Sequence, residues 1–201
     1  VRPPLRPMLQ TALGPRGFTL AYSALSLAAL AWLIVAAGRA PFVPLWNWAP
    51  WQLYVPLVAM LPVCLILALA IARPNPFSFG GALNAKFDPA RPGIVRLHCH
   101  PLLLALALWA TAHAVPNGDL AHLILFCTFA IFAILGTRLV DRRRQREMGD
   151  TWQKLRSEVA RTPLWPPSLT GDDALRLVAG LLLYATLIWL HPALIGVSPL
   201  P

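Results

Sequence analysis

Apolar residues along this chain fall into five long blocks, separated by polar, proline-rich or basic stretches. About 20 mostly apolar residues cross the hydrocarbon core of a bilayer as a helix, and residues 18–37, 52–72, 97–115, 120–139 and 174–197 match that length. The first block carries no charge. The second is interrupted by Pro56 and Pro62, which a membrane helix tolerates as kinks when neighbours satisfy the freed carbonyls. The third and fourth are joined by Pro116-Asn117-Gly118-Asp119, a turn tetrad in which Asp119 is placed to cap the fourth helix. The fifth has Pro192 near its end. The pattern predicts an all-α fold: a polytopic transmembrane helical bundle of five spans, one membrane domain over residues 1–201.

Composition supports this reading. Hydrophobic residues make up 57% of the 201-residue chain and charged residues 12%, a balance that excludes a water-soluble domain. The 21 prolines divide the apolar content among several segments, and so apolar a chain is not a disordered one. The 17 Lys and Arg against 8 Asp and Glu give a formal net charge of +9, whose meaning depends on where the charges fall. The N-terminal arm holds Arg2, Arg6 and Arg16; the first loop only Arg39; the second Arg73, Lys86, Arg91 and Arg96; the third turn none; the fourth loop eight, from Arg138 to Arg161; the C-terminal tail none; Arg176, at the entry of the fifth block, completes the 17. Basic residues collect on the cytoplasmic side of membrane proteins. The alternation therefore predicts a cytoplasmic N-terminus for this chain, a cytoplasmic basic loop over residues 140–173 and a C-terminus outside. The net charge then belongs to topology; the expected partner is the lipid bilayer, with no nucleic acid.

The chain begins Val1-Arg2-Pro3-Pro4 and reaches no apolar stretch until Phe18, which does not fit a signal peptide. Cys64, Cys99 and Cys127 are an odd set without a CxxC pair, and no disulfide framework is expected. Trp46, Trp48 and Trp51 sit just outside the second block, where amphipathic rings settle at headgroup level. Residues 73–93 are too polar for lipid and long for a connection, which marks them as an ordered functional loop. Residues 141–155, read as a helix, place Arg142 and Arg146 one turn apart with Trp152 and Leu155 on one side, a pattern suited either to lying on an anionic leaflet or to binding a phosphate or carboxylate through its arginines.

Histidines carry the candidate chemistry, because ionisable groups at membrane depth face a bundle interior or a pathway. His98 reads as interfacial decoration. His100, before Pro101 at a helix start, is placed to meet an anion or a cofactor propionate together with Arg96. His113 lies 13 residues further on, about 19 Å along a helix. His122 and His191 are expected at a similar level. Three such histidines suit either a metal or heme, or hydrogen bonds across helices, which is the commoner use. No HExxH, nucleophile elbow or phosphate-binding loop occurs, and no paired intramembrane carboxylates, so hydrolase and nucleotidase chemistry has no support.

A resemblance rests on Gly93-Ile94-Val95-Arg96, His100-Pro101, Leu108-Trp109-Ala110-Thr111-Ala112-His113, Asn117-Gly118-Asp119-Leu120-Ala121-His122 and Asp141-Arg142-Arg143. With Tyr22-Ser23-Ala24-Leu25-Ser26, Pro74-Asn75-Pro76 and Phe87-Asp88-Pro89, the chain resembles the NnrU family of bacterial membrane proteins over most of its length. The resemblance implies a bacterial inner-membrane protein working alongside nitrogen-oxide reduction (denitrification). The family is similar to zeta-carotene isomerase, an integral membrane enzyme that uses heme b to convert a cis double bond of an isoprenoid to trans. By that likeness His113 matches a heme-ligating histidine, and Ala110 stands where the isomerase has a cysteine. Heme b at His113, with Arg96 and His100 as further cofactor-binding residues, is the implied site; an apolar isoprenoid substrate or a membrane reductase is the implied partner. The family normally begins with one more apolar helix ending in His-Ser-x-Arg, and Val1-Arg2-Pro3-Pro4-Leu5-Arg6 resembles the continuation of that motif, so six spans are expected with it restored. A non-enzymatic role in reductase assembly is the alternative. A further one is S-adenosylmethionine-dependent methyl transfer, since Arg96, His100-Pro101 and residues 143–152 are similar to the isoprenylcysteine and phospholipid methyltransferases.

Overall fold

The computed structural model describes residues 5–79, 82–163 and 171–200. Residues 1–4, which carry most of the resemblance to the family's first-helix motif, lie outside the described residues. Among the described residues six α-helices follow in chain order: α1 (Leu5–Arg39), α2 (Tyr54–Ala70), α3 (Pro101–Ala114), α4 (Leu120–Met148), α5 (Asp150–Arg161) and α6 (Gly171–Ile195). Four helical stretches among the described residues are long and apolar enough to cross a membrane, namely Arg16–Arg39, Pro50–Ala70, Leu120–Met148 and Asp172–Ile195, and α3 is a shorter apolar helix. Together they make the expected all-helical bundle of about five spans. Among the described residues the one extended pairing is a single bridge between Pro44 and Asp119.

α1 is broken at Gly14, whose φ of 68° and ψ of 164° belong to a region that only glycine occupies readily. The following proline reinforces the break by excluding helical geometry at the residue before it. Beyond it, Leu25 and Trp32 on α1 are exposed, as are Phe132 on α4 and Trp189 on α6. So many large apolar side chains facing outward suit a lipid boundary and not water.

The apolar helices stand in the neighbour order α1, α4, α3, α2, α6. α3 is the central one. Its 14 residues rise about 21 Å, less than the roughly 30 Å of hydrocarbon. Non-helical backbone must therefore complete its crossing, and such backbone is tolerated at depth only where protein covers it. α2 and α4 flank α3 on its two sides, and Leu103, Ala105, Ala110 and Ala112 on α3 are buried. Glycines permit the close approach elsewhere: a Cβ on Gly180 of α6 would lie 3.1 Å from the Leu65 Cα of α2.

The α3–α4 turn is clamped by the segment before α2. Gly118 O accepts from Leu45 N–H at 2.7 Å, and Leu120 N–H donates to Val43 O at 3.0 Å. The Trp46 indole donates to Val115 O at 3.0 Å. Asp119 caps α4 as expected, its side chain accepting from His122 N–H.

At the opposite, basic end, α4 runs on to Met148, where Gly149 (φ 56°, ψ −135°) breaks it and turns the chain into α5. The structure corrects the expected role of this segment. The apolar side of α5 does not lie on a leaflet: Trp152 and Val159 are buried with Phe77, Val95 and Cys99, and Leu155 packs against them. The described part of the polar 73–93 loop supplies apolar surface of its own, with Phe77 fully buried, and Trp152 and Val159 of α5 pack with it.

Candidate functional site

Polar side chains gather at both ends of α3. At the basic end His100, the residue preceding the helix, is 2% exposed. Its Nε2 lies 3.0 Å from Asp141 Oδ1 on α4, and its Nδ1 3.0 Å from Ser78 Oγ in the loop. A carboxylate only accepts, so with Asp141 ionised Nε2 carries the proton, and in the neutral ring Nδ1 accepts from the Ser78 hydroxyl. The sequence reading did not anticipate this Ser–His–Asp contact. Ser78 is 1% exposed, so its oxygen is closed to a substrate carbonyl; the contact fixes the ring and does not create a nucleophile.

Asn75 holds the same loop in place. Its Nδ2 donates to Cys99 O at 3.0 Å and its Oδ1 accepts from Phe77 N–H at 3.1 Å. Arg144 Nη2 donates to Ser78 O at 2.8 Å. Beside these residues lies a cleft of about 410 Å³ lined by Arg96, His98, Cys99, His100, Asp141 and Arg156, with Val95, Thr137 and Val159 among the rest of its wall. Arg96 Nε donates to Thr162 O at 2.7 Å. The Arg156 guanidinium contacts Cys99 Sγ and sits 5.4 Å from the Trp152 ring centre and 5.9 Å from that of Phe77. His98 Nδ1 accepts from His100 N–H at 3.1 Å. Of the residues expected to act together, Arg96 and His100 share this cleft. Arg143, from the segment similar to the methyltransferases, is exposed and paired with Glu147.

At the other end His113 is half-buried. Its Nδ1 lies 2.8 Å from Trp109 O, and since a carbonyl only accepts, Nδ1 carries the proton. Nε2 is then left as a lone pair with no hydrogen-bond partner among the described residues. Ring neighbours are Trp109 at 5.3 Å and Phe126 at 5.8 Å, and Phe129 stands 5.8 Å from Trp109. An imidazole whose Nδ1–H is fixed on a carbonyl is oriented to offer Nε2, so His113 is the residue here that would hold a metal, were one bound. Ala110, where the isomerase has cysteine, is fully buried against Phe126 and Ala130. His191 donates Nδ1 to Val197 O at 2.8 Å and lies within electrostatic range of His113. His122 is held by Asp119, its Nδ1 2.8 Å from Oδ2. The three histidines do not converge as a ligand set: among the described residues no group of three or more His, Cys, Asp or Glu is placed to hold a metal ion. A groove of about 460 Å³ at this end is walled by Trp46, Trp51, Gln52 and Val115; its tryptophans lie where interfacial anchors belong.

Asp119 lies outside the spans, and its environment can be read as electrostatics. Burial pushes its carboxyl up, but the side-chain, backbone and charge interactions of His122, together with Ala121 N–H, outweigh burial and hold it below the ordinary carboxylate range.

Long apolar helices, an apolar exterior and charged side chains gathered at the helix ends define a multi-pass helical membrane protein. A family model described as NnrU protein matches residues 1–199, and the chain belongs to the NnrU family. No curated protein and no solved structure matches it.

Proposed function

We propose that this NnrU protein resides in the bacterial inner membrane with its basic end in the cytoplasm, holds heme b through His113, and serves a redox or isoprenoid process. That process is either a step alongside nitrogen-oxide reduction or cis–trans isomerisation of an apolar isoprenoid. The observation supporting the reading is the His113 ring, with its Nδ1 proton on the Trp109 carbonyl and its Nε2 unpaired beside aromatic rings. Heme, when bound, supplies one-electron redox or Lewis-acid chemistry. The chain's own part is to ligate through His113 Nε2, to hold the tautomer through Trp109 O, and to keep water away with Trp109, Phe126 and Phe129.

The test is the absorption spectrum of the protein purified from membranes. A Soret band that disappears in His113→Ala and persists in His122→Ala and His191→Ala is the expected result. A colourless wild type rejects the heme reading and favours an accessory role in reductase assembly. Deleting the gene and assaying denitrification separately from carotenoid isomer composition distinguishes the two processes.

A further inference from the structure

We propose that the cleft at the basic end is a binding site for a phosphate monoester, gripped by Arg96 and Arg156. It lies at the far end of α3 from His113, about 19 Å along the helix, and the inference is independent of heme.

The argument starts from charges without partners. The other half-buried arginines at this end have acids: Arg73 pairs with Asp172 and Asp173, Arg176 with Asp172, and Arg144 with Glu147. Arg96 and Arg156 are half-buried, and among the described residues neither has a carboxylate within ion-pair distance. Asp141, the acid in the cleft wall, is tied to His100. Two partly desolvated cations facing one cleft are costly unless an anion neutralises them.

The donors are also already oriented. Arg156 is held by Trp152, Phe77 and Cys99. Arg96 uses Nε on Thr162 O, and its two terminal nitrogens have no hydrogen-bond partner among the described residues. His98 accepts on Nδ1, so its neutral ring carries the proton on Nε2 and adds a third donor group. Planar guanidinium forks match phosphate oxygens in pairs, and two cations match a dianion better than a carboxylate. Leu97 and Val159 make part of the wall apolar, which suits a phosphate carried on an apolar body as well as free phosphate.

The experiment uses the full chain in phosphatidylcholine nanodiscs and follows thermal unfolding by tryptophan fluorescence. In one arm inorganic phosphate replaces chloride at constant ionic strength; in the other the nanodiscs contain phosphatidic acid. The midpoint is expected to rise by several degrees in at least one arm. The free-phosphate arm identifies a soluble ligand, the phosphatidic acid arm a lipid headgroup. Arg96→Gln and Arg156→Gln should each abolish most of the rise, while Arg142→Gln, at an exposed position outside the cleft, should keep it. Should either Gln variant fail to fold, Arg96→Lys preserves the charge and is expected to bind at least fivefold more weakly because it lacks the fork. No rise in either arm, or an equal rise in wild type and the Arg96 and Arg156 variants, overturns the proposal.

Discussion

Asp119 serves two purposes at the α3–α4 turn. Its side chain caps α4 by accepting from His122 N–H at 3.1 Å and meets the His122 ring at 2.8 Å. Because its folded value is depressed, the stability it contributes is present above the ordinary 3.8 and is lost as pH falls through that region and below. Asp119→Asn keeps a good cap and removes the charge. The gap in unfolding midpoint between wild type and this variant should close as pH falls from about 4 downward; a gap that widens over that range would refute the sign. Capping was legible in the sequence because cap and capped amide lie three residues apart. The contact of His100 with Ser78 and Asp141 was not. Its partners are 22 and 41 residues away, and Ser78 sits in a loop with no periodicity to show which way it faces.

At the scale of elements, the apolar blocks disclosed the helices, and single glycines decide how closely those helices meet. A Cβ on Gly118 would sit 2.6 Å from Trp46 O, inside backbone that cannot yield without breaking the bonds to Leu45 and Leu120. Gly118→Ala should therefore cost about 1–3 kcal/mol, the usual range for overpacking, measured as a lower unfolding midpoint in detergent. Gly180→Leu should drive α6 from α2, since even a Cβ meets Leu65 and Cys64 backbone at 3.1–3.2 Å. The fate of α5 was not legible. An amphipathic helix shows that it has an apolar face but not what covers that face, and the loop around Phe77 competes successfully with the bilayer. Trp152→Ala removes the largest side chain of that cluster and should destabilise by about 3–5 kcal/mol, with increased protease cleavage within residues 73–93 as the local readout.

For the whole molecule, the ends of the bundle differ sharply in charge, and the proposed orientation follows from that difference. α4 extends 29 residues, about 44 Å, so its last turns project beyond any hydrocarbon core and carry Arg142, Arg143, Arg144 and Arg146 out of the membrane with them. The opposite end presents exposed Trp48 and Trp51 and, of the basic residues, Arg39. Moving the arginine-rich end across the membrane during insertion is the costlier alternative, which is the physical content of the positive-inside rule. Ser157 is exposed on α5 and Trp48 is exposed at the other end, so cysteines at these positions report opposite sides. With Cys127 replaced by Ala and Cys64 and Cys99 buried, a membrane-impermeant maleimide should label Trp48→Cys in intact spheroplasts, and Ser157→Cys only after the membrane is opened. Labelling of Ser157→Cys in intact spheroplasts would invert the proposed orientation and move the Arg96–Arg156 cleft to the periplasmic side, away from cytoplasmic phosphate monoesters.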